Sequence, residues 1–336
     1  MRAGRRLAIG VGLGLGLGGC SGSQSALDAH GAQASALRDL MGLFTVVCGT
    51  VWLLVLLALA VAVWRRRASG REPAEPGATS ERRLGIVVGV AVALTVLTIT
   101  GLTFASYRTT RGLTGIADEG VTIRLRGYQW WWEATYQDQA PERVFRTANE
   151  LRIPVGRPVR VELAGVDVIH SFWVPSLAGK QDIIPGRQNE ITLKAERPGI
   201  YRGQCAEFCG LQHAHMAFLV IAELPENYEA WRSAQLRAAE PPADPEAARG
   251  RDVFLAKSCK ACHAIRGTPA GGVLGPDLTH VASRETIAAG LLPTTRGSLA
   301  AWVADPQTVK PGSKMPLVPL DADELRAVSA YLASLK

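Results

Sequence analysis

The chain has 336 residues, a length that accommodates about two globular domains together with membrane segments. Its net charge of +7 is spread along the chain, whereas a nucleic-acid-binding protein concentrates basic side chains on one domain, so nucleic acid is not an expected partner. The six cysteines all fall into patterns other than a disulfide framework.

Residues 1–20 are typical of an export signal. Three arginines in the first six residues precede a short apolar segment, residues 7–17. Two glycines and Cys20 follow, which resembles the processing site of bacterial lipoproteins and predicts that Cys20 becomes a lipidated N-terminus. An ordinary cysteine in an uncleaved signal is the alternative. The glycine repeat is not followed by the strand, helix and acidic residue of a nucleotide-binding unit, so we exclude that function.

Two uncharged apolar segments of 24 residues follow, 41–64 and 84–107. Each would be roughly 36 Å long as an α-helix, enough to cross a bilayer core of about 30 Å. The segment between them, 65–83, carries six arginines and three glutamates, and the positive-inside rule places it in the cytoplasm. We therefore expect a transmembrane hairpin in the bacterial inner membrane, with the rest of the chain on the periplasmic face. Cys48 lies within the first span, and we assign it no chemistry.

From residue 118 to 224 the pattern changes to short runs rich in β-branched and aromatic residues. Proline and glycine interrupt these runs at close intervals, and no long helical pattern lies among them. Short strands at this spacing predict a β-sandwich or β-barrel of about 100 residues. The predicted strands are 121–125, 130–136, 159–163, 190–193 and 218–222.

Residues 225–245 are predicted to be a linker, with a short helix near 226–239 that the following prolines end. Residues 246–336 are alanine-rich with apolar residues at helical spacing, which predicts an all-α domain. Its best-defined helices are 246–257 and 321–336. The second begins with acidic residues, which the helix dipole favours at that end.

Soft metal ligands are concentrated within residues 205–216. Thiolate, imidazole and thioether donors suit copper, whereas zinc is expected to take four Cys or His ligands without methionine. A second imidazole would complete a two-histidine site, and His170, which we expect at the end of a strand, is the candidate; a structural histidine is the alternative. The other predicted copper ligands are Cys205, Cys209, His213 and Met216.

The C-terminal domain contains a second predicted metal site, because Cys259, Cys262 and His263 have the C-x-x-C-H spacing of c-type haem attachment. The cysteines would form thioether bonds to the haem, and His263 would ligate its iron. A thioredoxin-like dithiol or half of a zinc site would not explain the adjacent histidine. Met315, the one methionine of this domain, lies in a proline-bracketed loop and is the predicted second iron ligand, with His280 as the alternative.

Cys205-x-Glu207-x-Cys209-x3-His213-x2-Met216, preceded by Asp167-Val168-Ile169-His170, closely resembles subunit II of cytochrome c oxidase. The order of a membrane hairpin, an aromatic run at 129–132 and a copper domain is similar as well. The resemblance implies a multidomain membrane protein: a two-helix hairpin, a cupredoxin-like Greek-key β-barrel or sandwich, and a fused class I cytochrome c domain.

In this family two copper ions share two bridging thiolates, one histidine binds each metal, and the centre is called CuA. By motif position the bridges are Cys205 and Cys209, the imidazoles His170 and His213, the thioether Met216 and the carbonyl donor Glu207. The resemblance also implies that the Glu207 carboxylate helps bind Mg²⁺ shared with subunit I. The family's electron-accepting tryptophan maps to Trp130, for which core packing or interface anchoring is the alternative role. Where the family has a tyrosine, this chain has Trp131.

The resemblance further implies an electron-input subunit. Electrons from a cytochrome or a cytochrome bc1-type complex would enter the fused haem c and pass through CuA to subunit I, where oxygen is reduced to water and protons are pumped. Subunits I and III are the implied membrane partners. The alternatives are a membrane-anchored copper chaperone, a copper-free quinol-oxidase subunit, and another CuA protein such as nitrous-oxide reductase. The haem motif argues against the first, the retained ligands against the second, and the chain length against the third.

Overall fold

The computed structural model describes residue 22 and residues 24–69, 78–113 and 120–336. The predicted signal with Cys20 lies outside the described residues, as do residues 70–77 of the predicted cytoplasmic loop. In the described part, two long helices precede a β domain and a mainly helical C-terminal domain. This order confirms the predicted fold class.

Helices α1 (Ala32–Ser69) and α2 (Ala78–Leu113) form the N-terminal hairpin. Both are longer than the apolar segments that predicted them, because alanine, leucine and arginine at their ends are good helix formers. Each helix contains a candidate membrane span, Ala32–Ala68 in α1 and Ser80–Leu113 in α2. In both spans, the most apolar stretch has no residue buried within the protein. Apolar side chains exposed over such a length need a lipid environment, so the two helices anchor the protein in a membrane.

Two five-stranded sheets form the β domain. The first contains β1 (Val121–Tyr128), β2 (Trp131–Tyr136), β3 (Phe145–Ala148), β5 (Val159–Gly165) and β8 (Gln188–Leu193), in the spatial order β3-β2-β1-β5-β8. The second contains β4 (Glu150–Pro154), β6 (His170–Trp173), β7 (Gln181–Ile183), β9 (Gly199–Cys205) and β10 (Ala217–Glu223), in the order β4-β10-β9-β6-β7. The pairs β1–β5 and β4–β10 are parallel and the other pairs are antiparallel, so the chain crosses between sheets instead of following simple hairpins.

Aromatic side chains from both sheets fill the core. The Trp132 ring lies 5.2 Å from the Phe218 ring and 6.4 Å from the Phe172 ring, centroid to centroid. All five predicted strands are present. Five further strands of this domain, β3, β4, β6, β7 and β9, were not predicted. Glycine at 199 and 203 weakens the strand pattern of β9, and the structure explains the second: a Cβ at Gly203 would lie 2.2 Å from the Phe218 ring.

The first half of the predicted linker is packed onto the β domain. Helix α3 (Pro225–Gln235) places the Trp231 ring 5.2 Å from Tyr136 and 5.5 Å from Phe145. The segment before α1 also contacts this domain, because the His30 amide donates to the Ser176 carbonyl at 2.7 Å. The β domain is therefore fixed to the start of the membrane hairpin and to the chain leading into the C-terminal domain.

The C-terminal domain contains α4 (Pro245–Ala256), α5 (Cys259–Cys262), α6 (Arg296–Ala304), α7 (Pro306–Val309) and α8 (Ala322–Ser334). A two-residue ladder, β11 (Thr286–Ile287) with β12 (Leu292–Pro293), is added to this helical framework. Asp321 and Glu324 form a capping box that begins α8. Helices α4 and α8 cross at Gly250, where a Cβ would lie 1.9 Å from the Ala327 carbonyl oxygen.

We expect Gly250→Val to destabilise the crossing of α4 and α8 by about 3 kcal/mol, because the added side chain overpacks against backbone. Amide hydrogen exchange in α4 and α8 of the full-length protein measures this loss. Gly297→Ala is the matched control, since Gly297 is an exposed helical glycine in α6 with open space around it. The control should leave stability unchanged or raise it by up to about 1 kcal/mol. Wild-type exchange protection in Gly250→Val would contradict the close crossing.

Candidate copper and haem sites

Three buried ligand groups meet where β6 and β9 end beside each other. His170, Cys205 and Cys209 have ligand atoms within 4.8 Å of one another, in the part of the chain that the structure describes. The two sulfur atoms are 3.7 Å apart, and the Cys205 sulfur lies 3.8 Å from Nδ1 of His170. The sequence prediction placed His170 at the end of a strand, but it is the first residue of β6. It pairs with Ile183 of β7 and lies two residues before Phe172, the pairing partner of Cys205.

The loop after β9 brings further donors to these sulfurs. Nδ1 of His213 lies 3.6 Å from the Cys209 sulfur, and the Met216 sulfur lies 3.8 Å from it. The Glu207 carbonyl oxygen is 3.2 Å from the Cys205 sulfur. Two thiols, two imidazoles, a thioether and a carbonyl therefore converge. The donor set is soft and compact, so it fits copper.

The two thiols differ in acidity. A hydrogen bond from Cys209 lowers the pKa of Cys205 to about 4, and His170 acts in the same direction against the effect of burial. The same contact with Cys205, together with burial, raises the pKa of Cys209. Without a metal, the two sulfur atoms therefore share one proton at neutral pH.

Asp167 orients the buried histidine. Its carboxylate oxygen lies 2.9 Å from Nε2 of His170, so Nδ1 is turned toward the sulfurs. Burial alone would lower the pKa of His170, but hydrogen bonds with Cys205 and Asp167 raise it overall. A carboxylate behind a histidine fixes its tautomer and raises its basicity as a ligand. Gly127 leaves room for the ring, because a Cβ there would lie 2.9 Å from Cδ2 of His170.

The Glu207 side chain points away from the sulfurs to the surface. Its carboxylate pairs with the Lys180 ammonium at 3.3 Å, and both side chains are nearly half exposed. Phe208 and Leu211 beside it are among the most exposed apolar side chains of this domain, at 76% and 71%. The loop after β9 thus presents a surface of apolar side chains and one carboxylate, outside the ligand cluster.

Cys259 and Cys262 lie on the single turn of α5 and are free thiols. His263 ends this turn, and its Nδ1 donates to the Pro276 carbonyl at 2.8 Å, which leaves Nε2 available to a metal. Burial lowers the pKa of His263, so the imidazole is held in the neutral form that ligates iron. Gly275 leaves space beside the ring, because a Cβ there would lie 2.7 Å from Cε1 of His263. These features fit a covalently attached haem.

Met315 lies in the loop between α7 and α8, partly buried against the same apolar cluster that Cys259 contacts. Gln307 fixes this loop by donating to the carbonyls of Ser313 at 2.8 Å and Met315 at 3.0 Å. The alternative ligand, His280, has both ring nitrogens directed at backbone carbonyls, those of Lys336 at 2.8 Å and Arg237 at 3.2 Å. The environment of His280 therefore favours Met315 for the second position.

Trp130 lies between the copper loop and the C-terminal domain and is only 9% exposed. Its indole nitrogen donates to the Cys209 carbonyl at 2.9 Å. It also packs against residues 311–321, the loop that contains Met315 and is called the methionine loop below, because a Cβ at Gly312 would lie 3.4 Å from the indole ring. Trp131 instead stacks on Tyr128 with ring centroids 4.6 Å apart.

Several residues of this region were not singled out from the sequence. A sequence signal for Asp167 exists, because it is a carboxylate three residues before a predicted ligand. The side chain of Gln129 donates to the Cys209 carbonyl at 2.8 Å, and its backbone amide donates to Asp167 at 2.7 Å. No sequence signal indicates these roles of Gln129. Lys310 is 2% exposed, and burial lowers its pKa to about 7 against the opposing effect of Cys209. A lysine next to proline and glycine gives no sequence signal of burial.

The fold and the two ligand clusters together define a membrane-anchored protein in which a cupredoxin-like copper domain is followed by a c-type cytochrome domain. Residues 121–223 match the family model of the periplasmic domain of cytochrome c oxidase subunit II, and residues 247–336 match that of cytochrome c. These two domains imply CuA copper and haem c as cofactors.

Comparison with individual proteins covers nearly the whole chain. Cytochrome c oxidase subunit 2 of Alkalihalophilus pseudofirmus is 38% identical over 327 residues, which is 95% of this chain and 93% of that protein. Subunit 2 of Bacillus sp. PS3 is 35% identical over 64% of this chain and 62% of that protein. The crystal structure of the periplasmic domain of subunit II of cytochrome oxidase of Bradyrhizobium japonicum is 33% identical, covering 36% of this chain and 95% of that one, with a TM-score of 0.33.

The chain therefore belongs to the cytochrome c oxidase subunit II family, with a fused C-terminal cytochrome c domain. It is a subunit of a haem–copper oxidase, an oxidoreductase whose subunit II associates with subunit I. This assignment excludes the copper chaperone.

Copper affinity of the metal-free protein should rise with pH between about pH 6 and 8, because metal binding displaces protons from its ligands. The Cys209 thiol, whose pKa is raised, must lose its proton, and a protonated His170 must lose one as well. Cys205 contributes no pH dependence in this range, since its pKa is about 4. Competition with a chelator at several pH values measures the slope. Affinity that does not change with pH would contradict this charge distribution.

Proposed function

We propose that this chain is the electron-input subunit of the oxidase, accepting electrons at its own haem c and passing them through CuA to subunit I. One observation carries the proposal: Trp130 contacts the methionine loop of the cytochrome domain on one side and hydrogen-bonds the Cys209 carbonyl on the other. A single side chain thus contacts both a predicted copper ligand and the loop that carries the predicted haem ligand Met315. Trp130 is accordingly proposed as the point where electrons reach the copper domain.

In this proposal the copper ligands are His170, Cys205, Glu207 through its carbonyl, Cys209, His213 and Met216. The pair of copper ions supplies one-electron redox chemistry with little rearrangement. The chain's own contribution is rigidity: β6 and β9 fix His170 and Cys205, and the buried Met216 amide donates to the His213 carbonyl at 3.3 Å. Ligands fixed in this way keep their geometry in both oxidation states.

For the cytochrome domain we propose that Cys259 and Cys262 attach the haem and that His263 and Met315 ligate its iron. Methionine with histidine raises the reduction potential of a haem, which suits an electron carrier. The Pro276 carbonyl holds His263 in one orientation, and Gln307 holds the backbone on either side of Met315. The external donor is then a cytochrome or a cytochrome bc1-type complex that reaches this domain.

We place both soluble domains on the periplasmic face, because the arginine-rich segment 65–83 is proposed to be cytoplasmic. Lipidation of Cys20 would add a further anchor on that face. The exposed surface of Phe208, Leu211 and the Glu207 carboxylate is proposed to meet subunit I, where Glu207 would help bind Mg²⁺ after leaving Lys180. Subunit III completes the proposed complex.

Oxygen reduction and proton pumping are assigned in this proposal to subunit I. The two apolar segments, 41–64 and 84–107, contain no Asp, Glu, Lys, Arg or His, the side chains that usually form a proton path within a membrane. The role of this chain is to deliver single electrons to that catalytic core.

Electron paramagnetic resonance combined with metal analysis of the full-length protein in detergent tests the proposed cofactors. The expected result is the hyperfine signal of a mixed-valence copper pair, with two copper ions and one haem per chain. A single copper ion per chain, or none, would refute the CuA proposal.

Met315→Ala separates the two sites within the same experiment. It should abolish the low-spin spectrum of a methionine-ligated haem and leave the copper signal unchanged, because Met315 belongs to the cytochrome domain alone. His280→Ala is the matched comparison and should keep methionine ligation. If His280→Ala abolished that spectrum while Met315→Ala kept it, the axial assignment would be wrong.

A further inference from the structure

Lys310 is a buried lysine whose side chain joins the two soluble domains. It precedes the methionine loop of the cytochrome domain, yet its Nζ donates to the Trp130 carbonyl at 2.9 Å and the His215 carbonyl at 2.7 Å, both in the copper domain. Its third hydrogen bond goes to the Ala288 carbonyl of its own domain at 3.0 Å. An ammonium group has three N–H donors, so all of them are used at this junction.

The acceptor in the cytochrome domain belongs to a strained turn. Ala288 and Ala289 between β11 and β12 have φ angles of 54° and 62°, in the left-handed region that alanine rarely adopts. Their carbonyls both serve the junction, because Ala289 accepts from the amide of Ala217 at 3.0 Å, and Ala217 directly follows Met216 in the chain. Strain of this kind persists where surrounding contacts impose it.

Other contacts continue the junction around Lys310. The Gln212 side chain donates to the Pro311 carbonyl at 2.8 Å, and the Glu285 amide donates to the buried Glu150 carboxylate at 2.9 Å. The first of these contacts holds Pro311, the residue before Gly312, which packs on Trp130, and the second holds the segment that leads into β11. The methionine loop is therefore held against the indole ring by hydrogen bonds that are buried or partly buried.

We propose that Lys310 is a positioning residue for electron transfer: its ammonium group locks the methionine loop of the cytochrome domain onto Trp130. The domain is then a permanently docked donor that occupies the surface over Trp130, and an external cytochrome reaches the haem rather than the copper domain. This inference rests on the proposed function, since it concerns the step from haem c to CuA. In that step ferrous haem loses one electron and the copper pair gains it, and no bond is formed or broken.

Removing the ammonium leaves three carbonyls at the junction without their donor. Truncating one partner of a buried, hydrogen-bonded charged contact weakens an interface far more than removing an exposed charge. The docked arrangement would then exchange with open arrangements, and electron transfer would depend on the motion of the domain. Lys314 offers a matched control, because its ammonium also crosses the junction, to Asp167 at 3.5 Å, but its side chain is 71% exposed.

The experiment uses the assembled oxidase with oxygen reduction blocked by cyanide. A photoexcited ruthenium complex reduces haem c, and absorbance follows the electron from haem to CuA. The wild-type rate should be independent of solvent viscosity. Lys310→Met should keep both the haem and the copper spectra, while the rate falls about tenfold or more and becomes viscosity-dependent because docking limits it. Lys314→Met should stay within about twofold of wild type.

The outcomes distinguish a failure of the Lys310 proposal from a failure of the proposed path from haem c to CuA. If Lys310→Met transfers electrons at the wild-type, viscosity-independent rate, the positioning role of Lys310 is overturned. If the wild-type protein itself shows no transfer from haem c to CuA, the proposed function fails whatever the variants do. If Lys310→Met loses either metal spectrum, Lys310→Gln, which keeps two N–H donors, decides: a slower, viscosity-dependent rate supports the role, and an unchanged rate refutes it.

Discussion

The carbonyl oxygen of Cys209 is the point on which the arrangement of the two sites depends. It accepts two hydrogen bonds, from the indole of Trp130 at 2.9 Å and from the side-chain amide of Gln129 at 2.8 Å. The Gln129 backbone in turn donates to Asp167, whose carboxylate orients His170. The aromatic run therefore holds both sides of the copper site, one through the ligand loop and the other through the buried histidine.

This constraint explains why the site needs the β framework and cannot be formed by the loop alone. The ligands of residues 205–216 are local, but His170 is 35 residues upstream of Cys205 and is brought to it by the pairing of β6 with β9. Trp132 and Phe172 pack beneath them in the core, so a shift of either sheet would move the ligands. Rigidity at the metal site is thus a property of the whole domain.

Much of the molecule was predictable because the signals are local. The membrane spans, the C-x-x-C-H motif and the copper loop each lie within a few residues or a single helix, where spacing alone restricts the chemistry. Strand β9 was missed, since glycine at 203 weakens its pattern and only the Phe218 ring explains that glycine. Lys310 was missed for a stronger reason: its partner Trp130 is 180 residues away, and no local pattern predicts burial of a lysine between a valine and a proline.

In the proposed path, electrons given to haem c leave through the copper site of the same chain. Cys209→Ala in the assembled oxidase tests this path, because the substitution removes a proposed copper ligand and leaves the cytochrome domain untouched. After reduction of haem c in air-saturated buffer, we expect the haem to stay reduced in the variant and to be reoxidised rapidly in the wild type. Reoxidation of haem c at the wild-type rate, in a variant shown to lack the CuA signal, would refute the proposed electron path.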